Sequence, residues 1–361
     1  MQETVSAWRG CLLGLAVGDA MGYTVDKKNW EEICEDYGPN GLLGYDLVNG
    51  YADATSYTQL AAFVANGLLV AATRSQPESY PKYLAVAQRE WLKSQQYRGG
   101  EDKTACWMAQ VPQMRRRHCM DTRMLDVLGR ETLGTPEKPS NYDDGPAAIT
   151  TAVGVGVFFD PSRMDPRQIG SLAAAAMAMT HGAPEAILSA AVLAYSIAGI
   201  LHAPELSLAE QFIQAAEAVQ QQFGKEFSQT AAVVARVKAA MDLTTDTQIT
   251  PREAMEQLRC RTCLDCLAAG IYASCTCAHD FDAGMILSVN HSGRSAAVGA
   301  ITGAILGARL GAEALPDFYL ESLEAAPILD QLAQDLALGR QTTRIFDDSW
   351  DQKYVQGLPV L

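Results

Sequence analysis

Charge is scarce in this chain, and positive charge is scarcest. Charged residues make up 19% of 361 residues, with 28 Lys plus Arg against 42 Asp plus Glu, a formal net charge of −14. So acidic a balance argues against a phosphate-backbone partner, because nucleic-acid binding needs a basic footprint. One local basic spot, Arg115-Arg116-Arg117-His118, is of a size to meet a small anion, although such runs usually form a solvated face. Regular two-residue alternation of apolar and polar residues is also rare, which excludes a sheet-based fold. Only Val153-Gly-Val-Gly-Val-Phe-Phe159 reads as a possible strand. A secretory leader is not recognisable, since the short apolar stretch at 11–17 is flanked by Arg9 and Asp19. The longest uncharged window, 186–204, approaches membrane-spanning length but carries Ser189, Tyr195, Ser196 and His202, and reads better as a core helix. No membrane partner is expected. Nine cysteines, an odd number, fit free thiols and a cytoplasmic location better than a disulfide framework.

What is abundant is helical periodicity. Apolar residues and alanines recur three and four apart over 5–22, 55–73, 80–96, 167–180, 183–202, 208–223, 227–241, 252–274 and 295–313. The implied fold class is all-α, one domain over 1–340 followed by a tail at 341–361. Two helices carry glycine at every fourth position: Gly10, Gly14, Gly18 and Gly22 in the first, Gly299, Gly303, Gly307 and Gly311 in the last long one. That spacing lays a stripe without side chains along one face. Each glycine costs about 1 kcal/mol relative to alanine inside a helix, so close backbone packing must compensate. If the two stripes face each other, Asp19 and the loop before Ser295 lie near one another.

Several segments carry a family resemblance in the right order. Arg9-Gly-Cys-Leu-Leu-Gly-Leu-Ala-Val-Gly-Asp-Ala-Met-Gly22 resembles the opening helix of ADP-ribosylglycohydrolases, and Tyr37-Gly-Pro39 the loop after it. Thr180-His-Gly182 is similar to the end of their central helix. Ser288-Val-Asn-His-Ser-Gly293 with Gly299-Ala-Ile-Thr-Gly303 resembles their C-terminal signature, and Ala314-Leu-Pro316 the stop beyond it. The resemblance spans roughly 8–335. It implies an orthogonal helical bundle that hydrolyses the bond between ADP-ribose and a side chain or small acceptor with two Mg²⁺ ions. In the family the ions are held by Thr-Asp-Asp-Thr-Gln at the start of an early helix and by Gly-Asp-x-Asp-Thr before the last one. Mg²⁺ is hard and requires oxygen ligands in near-octahedral geometry, and a metal pair holds water and orients the ribose.

Against that pattern this chain departs at nearly every ligand position. The first motif reads Thr55-Ser56-Tyr57-Thr58-Gln59, and the second Gly293-Arg294-Ser295-Ala296-Ala297. Of the family's ligands only Thr55 keeps its residue; Ser56, Tyr57, Arg294, Ala296 and Ala297 replace the others. Four aspartates and two Mg²⁺ sum to about zero charge, whereas losing all of them and adding one Arg leaves about +1. By this reading no cofactor is expected. Arg294 is positioned to pair with Asp19 or Asp53, to grip a phosphate or carboxylate, or to face solvent. The loop that resembles the substrate loop keeps Asn141 and Gly145 but has Thr150-Thr151 where relatives often carry Met-Arg. Asp143 and Asp144 add negative charge where a diphosphate would lie.

The pocket expected from these residues comprises Asp19, Thr55, Ser56, Tyr57, Asn141, Gly145, His181, His291, Ser292, Gly293 and Arg294, with Asp19 and Asp53 as weak catalytic candidates. Cys260, Cys263 and Cys266 have spacing that invites a metal. Small residues at these positions also suit close helix packing, and packing is the favoured role. Three functional readings remain open: a pseudoenzyme that binds a small anionic or nucleoside-like ligand or a protein; a divergent glycohydrolase that uses a carboxylate pair without metal; and a scaffold with an inert pocket.

Overall fold

The computed structural model describes residues 2–74, 77–99, 103–342 and 348–356. Seventeen α-helices occupy them, in the order α1 (Gln2–Val25), α2 (Trp30–Tyr37), α3 (Ser56–Arg74), α4 (Tyr80–Gln96), α5 (Arg123–Leu128), α6 (Thr151–Phe158), α7 (Pro166–Ala178), α8 (Pro184–His202) and α9 (Leu208–Phe223). There follow α10 (Thr230–Leu243), α11 (Pro251–Leu258), α12 (Cys263–Thr276), α13 (Phe281–Val289), α14 (Ser295–Leu310), α15 (Asp317–Ser322), α16 (Ala326–Thr342) and α17 (Asp348–Tyr354). Among the described residues β-structure is confined to two isolated bridges, Val48 with Tyr51 and Ala52 with Leu323. The fold is an all-α bundle forming one domain.

Local chemistry sets many helix starts. Asn29 with Glu32, Asp165 with Gln168, Ser207 with Glu210 and Thr250 with Glu253 form reciprocal capping boxes, each satisfying two donors that a helix start leaves free. At the centre, α1 and α14 run antiparallel with their glycine stripes face to face. Gly10 meets Gly307, Gly14 meets Gly303, Gly18 meets Gly299, and Gly22 meets Ser295. A Cβ at any of these glycines would overlap a backbone carbonyl of the facing helix, so the expected compensation for the glycine cost is present. This pair fixes the end of α1 against the start of α14.

Two expectations are corrected. Val153–Phe159 is not a strand: Thr151–Phe158 is helical, and its glycines serve close packing, Gly154 against the Ala61 carbonyl of α3 and Gly156 against Ile197 of α8. The periodic segment 252–274 is two helices and not one, broken where Arg259 and Cys260 adopt left-handed φ values of 66° and 49°. No glycine or proline marks that break. It is held because the Cys260 carbonyl accepts the Arg294 backbone N–H at 2.8 Å while Gly293, which has no side chain to interfere, lies against Cys260.

The uncharged window 186–204 falls in α8, the one helix among the described residues long and apolar enough to cross a membrane, and most of it is buried inside the bundle. Part of the tail region also packs on the body. Tyr354 is fully buried and donates to Asp335 at 2.7 Å, and Lys353 pairs with the same carboxylate. Residues 343–347 and 357–361 of that tail lie outside the described residues.

Candidate functional site

The N-termini of α3 and α14 converge beside the end of α1, bringing together Asp19, Thr55, Ser56, Tyr57, Gly293 and Arg294 of the pocket residues expected from the sequence. Asp19, on α1, is fully buried and takes four hydrogen bonds. Thr55 donates its N–H and its hydroxyl at 2.7 Å each, and Thr58 its N–H at 3.0 Å and its hydroxyl at 2.6 Å. The Ser56 N–H is taken by the His118 carbonyl at 2.9 Å and the Tyr57 N–H by the Thr55 hydroxyl at 3.2 Å. Every free donor at the start of α3 therefore has a partner within the protein. The Ser56 hydroxyl accepts from the Met120 N–H at 3.0 Å, so the segment 116–120 straps this helix end shut.

Asp19 is pushed up to about 6 by burial, with the Thr58 and Thr55 hydrogen bonds pulling the other way. A carboxylate beside a helix N-terminus is favoured by the helix dipole as well.

Asp26, just past α1, does the same service for α14, accepting the Ala296 N–H at 3.2 Å. Its second oxygen lies 3.5 Å from Nε of Arg294. The partner of Arg294 is thus Asp26 and neither Asp19 nor Asp53, because the glycine contacts place the end of α1, not its middle, beside the start of α14. Burial opposes the Arg294 charge, but Tyr57, Asp26 and Cys266 more than offset it, and the guanidinium is held above its ordinary value. Burial raises Asp26, with Arg294 opposing. Tyr57 is fully buried, and burial raises its hydroxyl far above the usual range. Ser295, Ala296 and Ala297 are fully buried as well.

Asp53 stands apart. Arg116 pairs with it and with Glu324. The remaining basic residues of that run are also engaged internally: the Arg115 guanidinium stacks 4.0 Å from the Tyr97 ring and Arg117 donates to the Tyr97 carbonyl at 2.9 Å. Ser292 accepts from the Trp30 N–H at 3.0 Å and donates to Glu256 at 3.0 Å, tying α2 to α11. His291 is fully buried with Nε2 on the Ser288 carbonyl at 3.0 Å, and burial lowers it to about 4. These two belong to the walls of the bundle.

Asn141, Gly145 and His181 build a second locus. Asn141 donates to the Thr180 carbonyl at 2.8 Å and accepts from the Asp143 and Gly182 N–H groups at 2.9 and 3.0 Å. The Gly145 N–H is taken by Asp143 at 2.9 Å. Next to this loop is a cavity of about 620 Å³ lined by Arg123, Arg130, Asp126, Asp143, Asp144 and His181, among others. Here the fold assembles a group that spacing along the chain does not disclose. Carboxylate oxygens of Asp121 and Asp143 and a ring nitrogen of His181 lie within 4.8 Å of one another, the one such cluster among the described residues. Arg123 bridges the two carboxylates, reaching Asp143 at 2.9 Å. Burial holds His181 well below its ordinary value, with Asp143 and Asp121 opposing. A larger cavity of about 950 Å³ lies beyond the far end of the α1–α14 pair, lined by Arg9, Arg309 and Glu313 among others, and holds none of the motif residues.

All nine cysteines are free. Cys260, Cys263 and Cys266 are fully buried; the Cys260 and Cys263 thiols face the carbonyls of Met255 and Ala186, and burial raises all three.

Two helix N-termini meeting over a buried polar cluster, framed by glycine-striped helices, define a bundle of the ADP-ribosylglycohydrolase architecture. The sequence matches the family model described as ADP-ribosylglycohydrolase over residues 1–345, and the chain belongs to that family. The fold is similar to a solved structure described as an ADP-ribosylglycohydrolase-related protein complex, at TM-score 0.60 and 23% identity, covering 95% of this chain and 100% of that one. Among curated proteins no match is found.

Proposed function

We propose that this member of the family does not hydrolyse ADP-ribosyl bonds by the dimetal route and acts as a pseudoenzyme or binding protein with a remodelled pocket. The observation that carries this reading is the placement of Arg294 and Tyr57 between the two capped helix starts. A Mg²⁺ pair needs several oxygen anions around each ion. The donors around this space are the Thr55 hydroxyl, already given to Asp19, the Ser56 and Ser295 hydroxyls, a neutral phenol and one free oxygen of Asp26 beside a fixed guanidinium. Ala296 and Ala297 offer no side-chain donor. These residues do not fit two Mg²⁺ ions.

Nucleotide binding is altered as well. The Asn141–Gly145 loop presents Asp143 and Asp144, with Asp121 beside them, and only Arg123 and Arg130 oppose them. A diphosphate there would face like charge. In place of the small anionic or nucleoside-like ligand expected from the sequence, a small ligand with a cationic or neutral polar group, or a protein, suits this surface better than ADP-ribose does.

The test is a thermal shift series with Mg²⁺ and ADP-ribose, paired with ADP-ribose release from arginine- and serine-linked substrates with and without EDTA. A ligand at 100 times its Kd would add about 2.7 kcal/mol of stability. No Mg²⁺-dependent shift and no release is the expected result. A shift abolished by EDTA would overturn the reading. Release insensitive to EDTA would move it to a metal-independent glycohydrolase working through carboxylates.

A further inference from the structure

We propose that Asp121, Asp143 and His181 form a binding site for a single divalent transition-metal ion of the Zn²⁺ class, separate from the family's dimetal position. His181 is 1% exposed, and its Nε2 has no hydrogen-bond partner. Its Nδ1 lies 2.8 Å from the Thr180 hydroxyl, which is itself 3.4 Å from the Met177 carbonyl. A hydroxyl that donates to that carbonyl accepts the Nδ1 proton, so the Nε2 lone pair is left free. The pattern is that of a metal-binding histidine, whose other ring nitrogen is fixed by a hydrogen bond.

The free nitrogen is aimed at the carboxylates. Gly145 marks the spot: a Cβ there would lie 3.0 Å from Asp143 Oδ1 and 3.8 Å from His181 Nε2. Asp143 is held in place by the Asn141 turn, Asp121 enters from the loop before α5, and the three ligand atoms fall within 4.8 Å of one another.

Arg123 now spans the two carboxylates. It answers their charge and leaves Nε2 without a donor, whereas a divalent cation satisfies all three groups and brings two carboxylates and a neutral imidazole to zero net charge. The Arg123 side chain is 68% exposed, so it can swing into solvent. A nitrogen ligand favours Zn²⁺ or Co²⁺ over Mg²⁺. Three protein ligands leave a fourth position facing the cavity of about 620 Å³.

The experiment is titration of the full chain with Co²⁺ as a spectroscopic probe, followed by displacement with Zn²⁺. Expected is one equivalent bound with ligand-field bands and no thiolate-to-cobalt charge transfer, displaced by Zn²⁺ and not by Mg²⁺. Asp121→Asn, in a half-buried loop position, weakens binding at least as much as the 10- to 100-fold known for removal of a metal site's outer partners, roughly. Arg123→Ala, on an exposed side chain, tightens it by removing the competing cation. Failure of both the wild type and Arg123→Ala to bind one equivalent overturns the proposal. So does binding that Asp121→Asn leaves unchanged, or binding with a thiolate signature, which would place the ion on cysteines.

Discussion

Arg294 and Asp26 face each other at 3.5 Å, one at the start of α14 and the other just beyond α1. The pair occupies the junction that the glycine stripes create, where Tyr57 also acts on Arg294 and Asp26 also accepts the Ala296 N–H, while Arg294 Nε and Nη2 and Asp26 Oδ2 make no hydrogen bond. Removing one partner of a buried pair leaves an uncompensated charge. Arg294→Ala is expected to cost about 3 kcal/mol, and Asp26→Ala somewhat more, since it also removes the cap on Ala296. The double variant should recover part of the sum, with a coupling of about 1–2 kcal/mol in a double-mutant cycle read by urea denaturation. Strict additivity would show that the two charges do not interact.

Asp19 is acted on both by the hydrogen bonds at the start of helix α3 and by burial in the bundle interior. Its folded value of about 6 lies above the ordinary 3.8, so the native state holds a proton that the unfolded chain has released. Asp19 therefore favours folding fully below about 4, and that contribution is lost as the pH rises to about 6. The shift corresponds to about 3 kcal/mol. Asp19→Asn keeps an acceptor for the Thr55 and Thr58 N–H groups without the charge, and is expected to be at least as stable as wild type at pH 7. Asp19→Ala leaves those donors unsatisfied and is expected to lose about 3 kcal/mol or more. Equal stabilities of the two variants would contradict this role.

His291 acts in the opposite sense over nearly the same range. Burial lowers it to about 4 from 6.5, so the unfolded state takes up the proton first. Its contribution is complete above about 6.5 and disappears as the pH falls to about 4, again about 3 kcal/mol. His181 is shifted in the same direction. Three histidines shifted down, His181, His202 and His291, outweigh two aspartates shifted up, Asp19 and Asp26, so wild type should lose stability on acidification through this window. Asp19→Asn should steepen the loss and His291→Gln should flatten it. Stability measured by denaturant titration from pH 4 to about 7 in the three proteins checks both signs.

Features carried by spacing within one segment are legible in the sequence, and those that arise between segments are not. Glycine at every fourth position along two helices is enough to announce the α1–α14 contact, and the segments 55–57 and 294–297 stand out in the sequence through the family resemblance. Asp26 carries no such signal, because its role depends on where the stripe ends in space. The same holds for Asp121 and Arg123, which reach His181 only through the fold. The α11–α12 break is hidden since neither Arg259 nor Cys260 is a residue that favours left-handed φ. Val153–Phe159 misleads in the other direction: valines with glycines suit a strand by propensity, yet Gly154 and Gly156 are contact points between helices.

The stripe itself gives the sharpest test, because propensity and packing predict opposite signs. On an exposed helix face, glycine to alanine gains about 1 kcal/mol. Gly14→Ala instead places a Cβ on the Gly303 carbonyl, where only backbone movement relieves the overlap. Overpacking typically costs 1–3 kcal/mol, and a backbone-to-backbone clash belongs at the top of that rough range or above. Gly44→Ala is the control, since nothing lies within 4 Å of its Cβ position, and it should be neutral or slightly stabilising. Gly18→Ala should match Gly14→Ala in cost but differ in consequence. Its Cβ would press on Gly299 and Ala300, about one and a half turns from Arg294, and so disturb the seating of the guanidinium against Asp26. Combined with Arg294→Ala, Gly14→Ala should add nearly independently, whereas Gly18→Ala should cost less than its single value, because part of what it breaks is already gone.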